Sequence, residues 1–428
     1  MTRMSGSPWG EPETPGGLSA SGGKMSEDTN RRAERILSID VMRGFALICM
    51  VLVHFMIFFG NEGAVDTWPY FILNHVLGDW GAACFLMMMG MSQVLSGRKH
   101  ADDGNRILLK RALIRGGYIF LVGILMLAIA WGPCQIWQWD ILTLMGFATI
   151  LLFFCRFLPS WAILVIAAAL ALCTPWLRGG VDFNAVWGGQ FVQVPVISRY
   201  IPGIMLDPAK EFEVVWRAKD IVQGFFLTGY FPVIPWSLFP LVGFVMGRRI
   251  VGKRMRHDLP LLIIIGILLV CLGLGGAYAG RARPESSIIN GFVSPLSFYP
   301  DSFTMICFQL GMALIVFSIL YYCYDVFKRD KQKVSFMVSI YNRTSGFSLT
   351  FYFLHYILIG WSLALVYFIT GKYYLFDLMG AIPALLCGIA AVVLLELLLY
   401  YWEKRKAKYS LEWFLVMLTF RFASPPEP

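Results

Sequence analysis

Charge is scarce in this 428-residue chain, with only 15% of positions Asp, Glu, Lys or Arg, where soluble domains carry roughly 25%. Combined with 57% hydrophobic residues, that scarcity excludes a soluble globule. Also missing is any C-x-x-C pair or Cys/His cluster. The nine cysteines fall almost entirely inside apolar runs, so neither a disulfide framework nor a zinc site is indicated and no metal is expected. Residues 1–33 hold no apolar run, only Gly, Ser, Pro and charge, and are expected to form a disordered cytoplasmic tail, not a signal peptide. No internal repeat relates the two halves. The net charge of +9 is spread in short clusters between apolar runs, the pattern of topogenic charge and not of nucleic-acid binding.

What the chain has in abundance is long apolar stretches. Runs near 37–60, 68–96, 112–131, 141–157, 160–177, 230–247, 259–279, 303–324, 346–370 and 379–401 have the length needed to cross a hydrocarbon core of about 30 Å as helix. The predicted fold is therefore all-α, a polytopic membrane protein of about ten transmembrane helices. The transmembrane domain is placed at 34–403, with an outer cap segment at about 178–229. A cytoplasmic tail at 404–428 includes a short interfacial helix near 411–421.

Orientation follows from the loops. Arg98, Lys99, Arg106, Lys110 and Arg111 follow the second run; Arg248, Arg249, Lys253, Arg254 and Arg256 follow the sixth; Lys328, Arg329, Lys331 and Lys333 follow the eighth. Segments 60–67 and 131–140 contain no Lys or Arg. Basic loops mark the cytoplasmic side, so both termini are expected there. The sixth run contains Pro232, Pro235 and Pro240; each removes a backbone donor, which predicts a bent or interrupted helix beside protein or a water-filled cavity.

Ionisable residues inside a span are expensive, and each requires a reason. Asp40, Arg43 and His54 fall on one stripe of the first run, within about 60° of one another at 100° per residue. Asp40 and Arg43 serve either as a helix-start ion pair or as fixed charge at the mouth of a substrate tunnel. His75 and Asp79 form an i,i+4 pair on the second run, and a carboxylate one turn from an imidazole fixes its tautomer and steadies the imidazolium. Ser348, Tyr352 and His355 share a stripe of the ninth run, with His355 near mid-membrane. Gln309 and Glu396 read as interhelical glue. Trp131, Trp137 and Trp139 suit either stacking on a sugar or anchoring at the interface.

Several ordered segments carry a resemblance. Arg35-Ile-Leu-Ser-Ile-Asp-Val-Met-Arg-Gly-Phe-Ala-Leu running into Val53-His54-Phe55 resembles the opening of the heparan-alpha-glucosaminide N-acetyltransferase catalytic-domain family, within the broader set of transmembrane acyltransferases. Similar to that family in the same order are Asp79 to Gly90, Asp140-Ile-Leu-Thr-Leu-Met-Gly146, Phe231-Pro-Val-Ile-Pro-Trp236 on to Gly247-Arg248, Tyr299-Pro-Asp-Ser302 and Phe351-Tyr-Phe-Leu-His355. The resemblance spans roughly 35–370. It implies ten or eleven helices and transfer of an acetyl or other acyl group from cytoplasmic acetyl-CoA to a hydroxyl or amine of a glycan or small molecule. It also implies a catalytic histidine at the outer end of the second span, for which His75 is the nearest match. Many relatives place it one turn later, where this chain has Asp79, so His75, His54 or both stand as candidates.

On this reading Arg43, Arg98, Arg111, Arg248 and Arg249 are candidates for the CoA phosphates, since guanidinium pairs bidentately with phosphate. Asp40 and His355 complete the candidate donor site. Trp131, Trp137, Trp139, Asp140 and Trp236 are candidates for the acceptor. His75 held by Asp79 serves as general base, or an imidazole takes the acyl group itself. Expected partners are acetyl-CoA, the acceptor, the lipid bilayer and a homodimeric copy, in a bacterial plasma membrane. The competing reading is a proton-coupled secondary transporter, because intramembrane His and Asp beside a proline-broken helix also describe such a carrier.

Overall fold

In hydrocarbon every backbone N–H and C=O must find a partner within its own segment, so long apolar runs become helices. The computed structural model describes residues 36–98, 100, 102–179, 181, 217–281, 291–327, 335–372 and 374–423. Among the described residues there is no strand, and nine helices are long and apolar enough to cross a membrane. These are α1 Leu37–Phe59, α2 Trp68–Arg98, α3 Asn105–Trp131, α5 Ser160–Arg178, α6 Ala218–Val251, α7 Met255–Gly280, α8 Phe303–Phe327, α10 Ser348–Thr370 and α11 Ala381–Lys404. The expected fourth span is α4, Ile141–Cys155. Three shorter features matter to the site: a 3-10 turn at Pro133–Gln138, helix α9 Phe336–Gly346 and helix α12 Leu411–Ala423.

Helix α4 starts where the fourth apolar run starts, at residue 141, and ends two residues before it, at Cys155. Its 15 residues make about 22 Å of helix, less than the bilayer core of about 30 Å. Before it, Gln135, Gln138, Trp139 and Asp140 are all buried, so the segment after α3 folds back into the bundle and α4 starts inside it. Helix α6 is longer than the predicted 230–247, because a helical turn and a π-helical stretch at Gly224–Thr228 precede the prolines. The interruption expected there is present. Ile234 is extended (φ −107°, ψ 118°) between Pro232 and Pro235, and protein groups satisfy the freed backbone. Tyr230 and Phe231 N–H donate to the carbonyls of Gln138 and Trp139 at 2.9 and 3.0 Å, and Arg178 donates to the carbonyls of Leu227 and Ile234. Of the cap expected at 178–229, residues 182–216 lie outside the described residues.

Close backbone approach sets the packing of α2 on α6. A Cβ at Gly90 would lie 2.1 Å from the Pro240 carbonyl oxygen, and one at Gly243 would lie 2.0 Å from that of Met87; small residues are what allow membrane helices to meet this way. Helix α1 is the hub, touching α2, α8, α9, α10 and α11. Its first amides, Leu37 and Ser38 N–H, donate to Asp325 of α8 at 2.9 and 3.0 Å. Glu396 of α11 accepts from Arg343 and Thr344 of α9, the interhelical role expected of it. Gln309 is fully buried without such a partner.

Candidate functional site

The second turn from the end of α1 carries His54, and His355 is the eighth residue of α10. The two rings stack at 5.2 Å between centroids, with His54 Nδ1 and His355 Nε2 2.9 Å apart. His355 Nδ1 faces the Tyr352 carbonyl oxygen. A carbonyl only accepts, so His355 carries its proton on Nδ1, its Nε2 holds a lone pair, and His54 must donate from Nδ1. The Nε2 of His54 is left as the free base of the pair. His355 is completely buried while His54 keeps partial exposure. Phe58 and Tyr356 pack against the His54 ring, and Trp131 packs on both of them, edge-on to Tyr356.

A carboxyl lies on the other side of the same helix turn. Asp140 is the N-cap of α4, accepting from Leu142 N–H at 3.1 Å, and it also accepts from the hydroxyls of Tyr352 and Tyr356. Burial raises its carboxyl to about 6, against the lowering effect of those hydrogen bonds. Tyr299 lies within electrostatic reach of Asp140, Tyr230, Tyr356 and Asp301. Asp301 in turn lies within reach of Arg178 and Asp79. Asp301 is 3% exposed, and among the described residues neither of its carboxylate oxygens has a hydrogen-bond partner. Burial, and then Asp79, push its carboxyl well above the ordinary range, while Arg178 opposes.

Asp79 completes the string. His75 Nδ1 stands 3.1 Å from its Oδ2, with the imidazole 54% exposed and the carboxylate 16%. The pair sits where the π-helical stretch Ile72–Gly78 meets the rest of α2. Gly78 lies against Val53, next to His54 in α1. The two histidine centres singled out in the sequence thus belong to one array, an open His75–Asp79 rim and an enclosed His54–His355 pair. Asp301, Tyr299 and the Asp140 cluster lie between them.

The arginines considered for the donor are mostly engaged elsewhere. Arg43 donates to Asp40, Ser345 and Ser92, with Asp40 also accepting from Ser345 at 2.7 Å. Arg111 pairs with Asp103. Arg248 caps the end of α4 through the carbonyls of Cys155, Arg156 and Leu158, over the ring of Phe244. Arg249 grips Asp258 with two bonds, 2.5 and 2.6 Å. Arg98 is exposed at the end of α2.

The tryptophans divide. Trp131 packs on the two rings that touch His54. Trp139, in left-handed backbone (φ 59°), donates to the Ile221 carbonyl at 3.0 Å and packs on Trp137 and Phe225. It also lines an apolar cavity of about 350 Å³ with Gly116, Phe120, Phe147 and Phe225, which no titratable group enters. Trp236 is enclosed completely among Phe231, Phe239 and Phe298.

Residues 35–273 match the family model described as heparan-alpha-glucosaminide N-acetyltransferase, catalytic. The chain belongs to that family. The match covers more than half the chain and makes this multi-pass protein an acyltransferase by family. No curated protein matches the chain. Within the match fall His54, His75, Asp79, Asp140 and Trp236; Tyr299, Asp301, Tyr352 and His355 lie beyond it. The pairing of His54 with a residue outside the matched span was not readable from either segment alone. Asp301 was overlooked although it sits in the quoted Tyr299-Pro-Asp-Ser302 segment. Asp79 was singled out by a histidine four residues away, which Asp301 does not have; the cost of an acid at the edge of an apolar run is the signal that could have found it.

Proposed function

We propose that this N-acetyltransferase-family protein transfers an acetyl group from acetyl-CoA, held on the basic and cytoplasmic side, to a hydroxyl or amine of a sugar, glycan or small molecule on the opposite side, with His54 as the reacting imidazole. The observation that carries this reading is the hydrogen bond from His54 Nδ1 to His355 Nε2, because it leaves His54 Nε2 unprotonated and partly accessible in an otherwise enclosed site. As the acceptor oxygen or nitrogen attacks the thioester carbonyl, His54 Nε2 takes its proton. The positive charge is shared with His355, whose own Nδ1–H is held by the Tyr352 carbonyl. The C–S bond then breaks, the thiolate takes the proton back, and the products are the acetylated acceptor and CoA. General-base catalysis of this kind contributes about 10² to 10⁴ in rate. An acetyl-imidazole formed on the same Nε2 is the two-step form of the same chemistry.

Asp301 and Asp79, with Tyr299 beside them, supply acceptors for the hydroxyl or amine groups of the incoming molecule. His75 stands at the rim, where it orders Asp79. The test is release of free thiol from acetyl-CoA by purified protein, with glucosamine as the first acceptor tried. His54→Gln should abolish it and His75→Ala should leave more than a tenth. The reverse pattern would assign the chemistry to the His75–Asp79 pair.

The same string of carboxyl, phenol and imidazole groups also suits proton movement, which keeps the transporter reading open to experiment. Substrate-driven acidification of vesicles without thiol release would favour that reading.

A further inference from the structure

We propose that Arg115, in the lower half of α3, is the receptor for a phosphate group of the acyl donor, an inference that rests on the acetyl-CoA reading above. Arg115 is half-buried and forms no hydrogen bond or ion pair among the described residues. The charged neighbour within its reach is another cation, Arg111, whose own guanidinium is taken by Asp103. A guanidinium presents five donors and stays ionised. Placed inside a membrane helix without an acceptor, it is a site waiting for an anion.

Its direction is fixed by the helix. The exposed stripe of α3 runs through Leu113, Leu121 and Leu125, at 48, 55 and 46% exposure, with Gly117 exposed on the same line. Arg115 lies about 160° round from the neighbouring exposed positions Leu113 and Gly117, and about 120° and 80° from Leu121 and Leu125 higher up. It shares its own stripe with Arg111, Tyr118 and Val122. Tyr118 donates to the Leu411 carbonyl of α12 at 3.0 Å, and Val122 is in the core. The side chain therefore leaves the helix toward protein and away from lipid. It also stands ten residues into α3, about 15 Å from Asn105, and three residues inside the apolar run that begins at 112.

Its height matches the chemistry. Tyr118 holds Leu411, whose N–H donates to Thr350 Oγ1 at 3.0 Å, and further up Trp361 Nε1 donates to the Ile129 carbonyl at 3.1 Å. Helices α3 and α10 thus run side by side, Thr350 level with Tyr118 and Trp361 level with Ile129. On that register His355 stands about 12 Å above Arg115 along the helix axes, within the reach of an extended pantetheine arm. A phosphate held at Arg115 would let the thioester arrive at His54.

The experiment measures CoA binding to the purified full-length protein in lipid nanodiscs, by titration calorimetry, with pantetheine as the probe lacking phosphate. Wild type should bind CoA, and Arg115→Ala should weaken that binding about 10- to 100-fold, the value of a charge-assisted bidentate contact. Arg115→Lys should recover part of the loss, and pantetheine should bind Arg115→Ala and wild type equally. Unchanged CoA affinity in both Arg115→Ala and Arg115→Gln would overturn the inference. A wild type that binds no CoA would instead overturn the donor reading. In that event a phospholipid retained by wild type and lost from Arg115→Ala in native mass spectrometry would keep the phosphate site with lipid as its source, and loss of neither would remove it.

Discussion

The Tyr352 hydroxyl reaches both carboxylate oxygens of Asp140, at 3.0 and 2.9 Å, joining residues 212 positions apart and tying the start of a short helix to the one that carries His355. The phenol donates, and the carboxyl that receives it is buried and raised to about 6. A carboxyl raised in the fold stabilises the folded state below its unfolded value near 3.9, and that contribution is lost as pH rises through about 6. The shift from 3.8 to about 6 corresponds to about 3 kcal/mol. Melting of wild type should therefore fall between pH 4 and pH 6.5, and Asp140→Asn should flatten that slope. An identical slope in the variant would place the titration elsewhere.

His355 acts through His54, and its removal should be read differently from removal of His54 itself. His355→Gln keeps an acceptor near His54 but cannot share a proton, and should lower kcat about 100-fold while moving the acid limb of the pH profile and sparing KM for acetyl-CoA. A rise in KM with unchanged kcat would make His355 a packing residue.

Asp301 is a buried carboxyl without a hydrogen-bond donor among the described residues, an arrangement that costs stability when the group ionises. Its range is pushed well upward, so the stability it contributes in acid is lost as pH rises. Asp301→Asn should raise the melting temperature more at pH 8 than at pH 5. If Asp301 receives the acceptor, the same substitution should lower kcat/KM for glucosamine at least about tenfold, a trade typical of binding groups kept at the expense of stability. A stabilised variant with full activity would remove Asp301 from the acceptor site.

The terminal helix contributes to the site from outside. Glu412 of α12 accepts the amides of Leu349 and Thr350 at 2.7 and 2.9 Å, together with the Thr350 hydroxyl, and so caps the start of α10 with a carboxylate where the helix dipole favours one. Glu412→Ala leaves two amides unpaired and should destabilise the protein by about 1–3 kcal/mol, seen as a lower melting temperature. Transfer activity should fall with it, because α10 positions His355. Unchanged melting would show that water replaces the carboxylate.

Hydrophobic length and loop charge are local properties, and they were enough to place all ten apolar helices, the break near Pro232 and Pro235 and the short helix past residue 410. The one large boundary difference has a local cause too: α6 starts early because a helical turn and a π-helical stretch precede the prolines. The candidate site was legible only where both partners lie on one helix, as His75 and Asp79 do four residues apart. His54 with His355, Asp140 with Tyr352 and Asp79 facing Asp301 each join different helices. Periodicity says which face of a helix a side chain occupies but nothing of the helix it meets. Which arginines remain free was equally hidden, since Arg43, Arg111, Arg248 and Arg249 look alike in sequence and only packing decides whether an acid or a carbonyl takes them. Composition and hydrophobic period determined that this chain lives in a membrane as helices; the pairing of those helices, which depends on small residues such as Gly90 and Gly243 letting backbones touch, decided where its chemistry is.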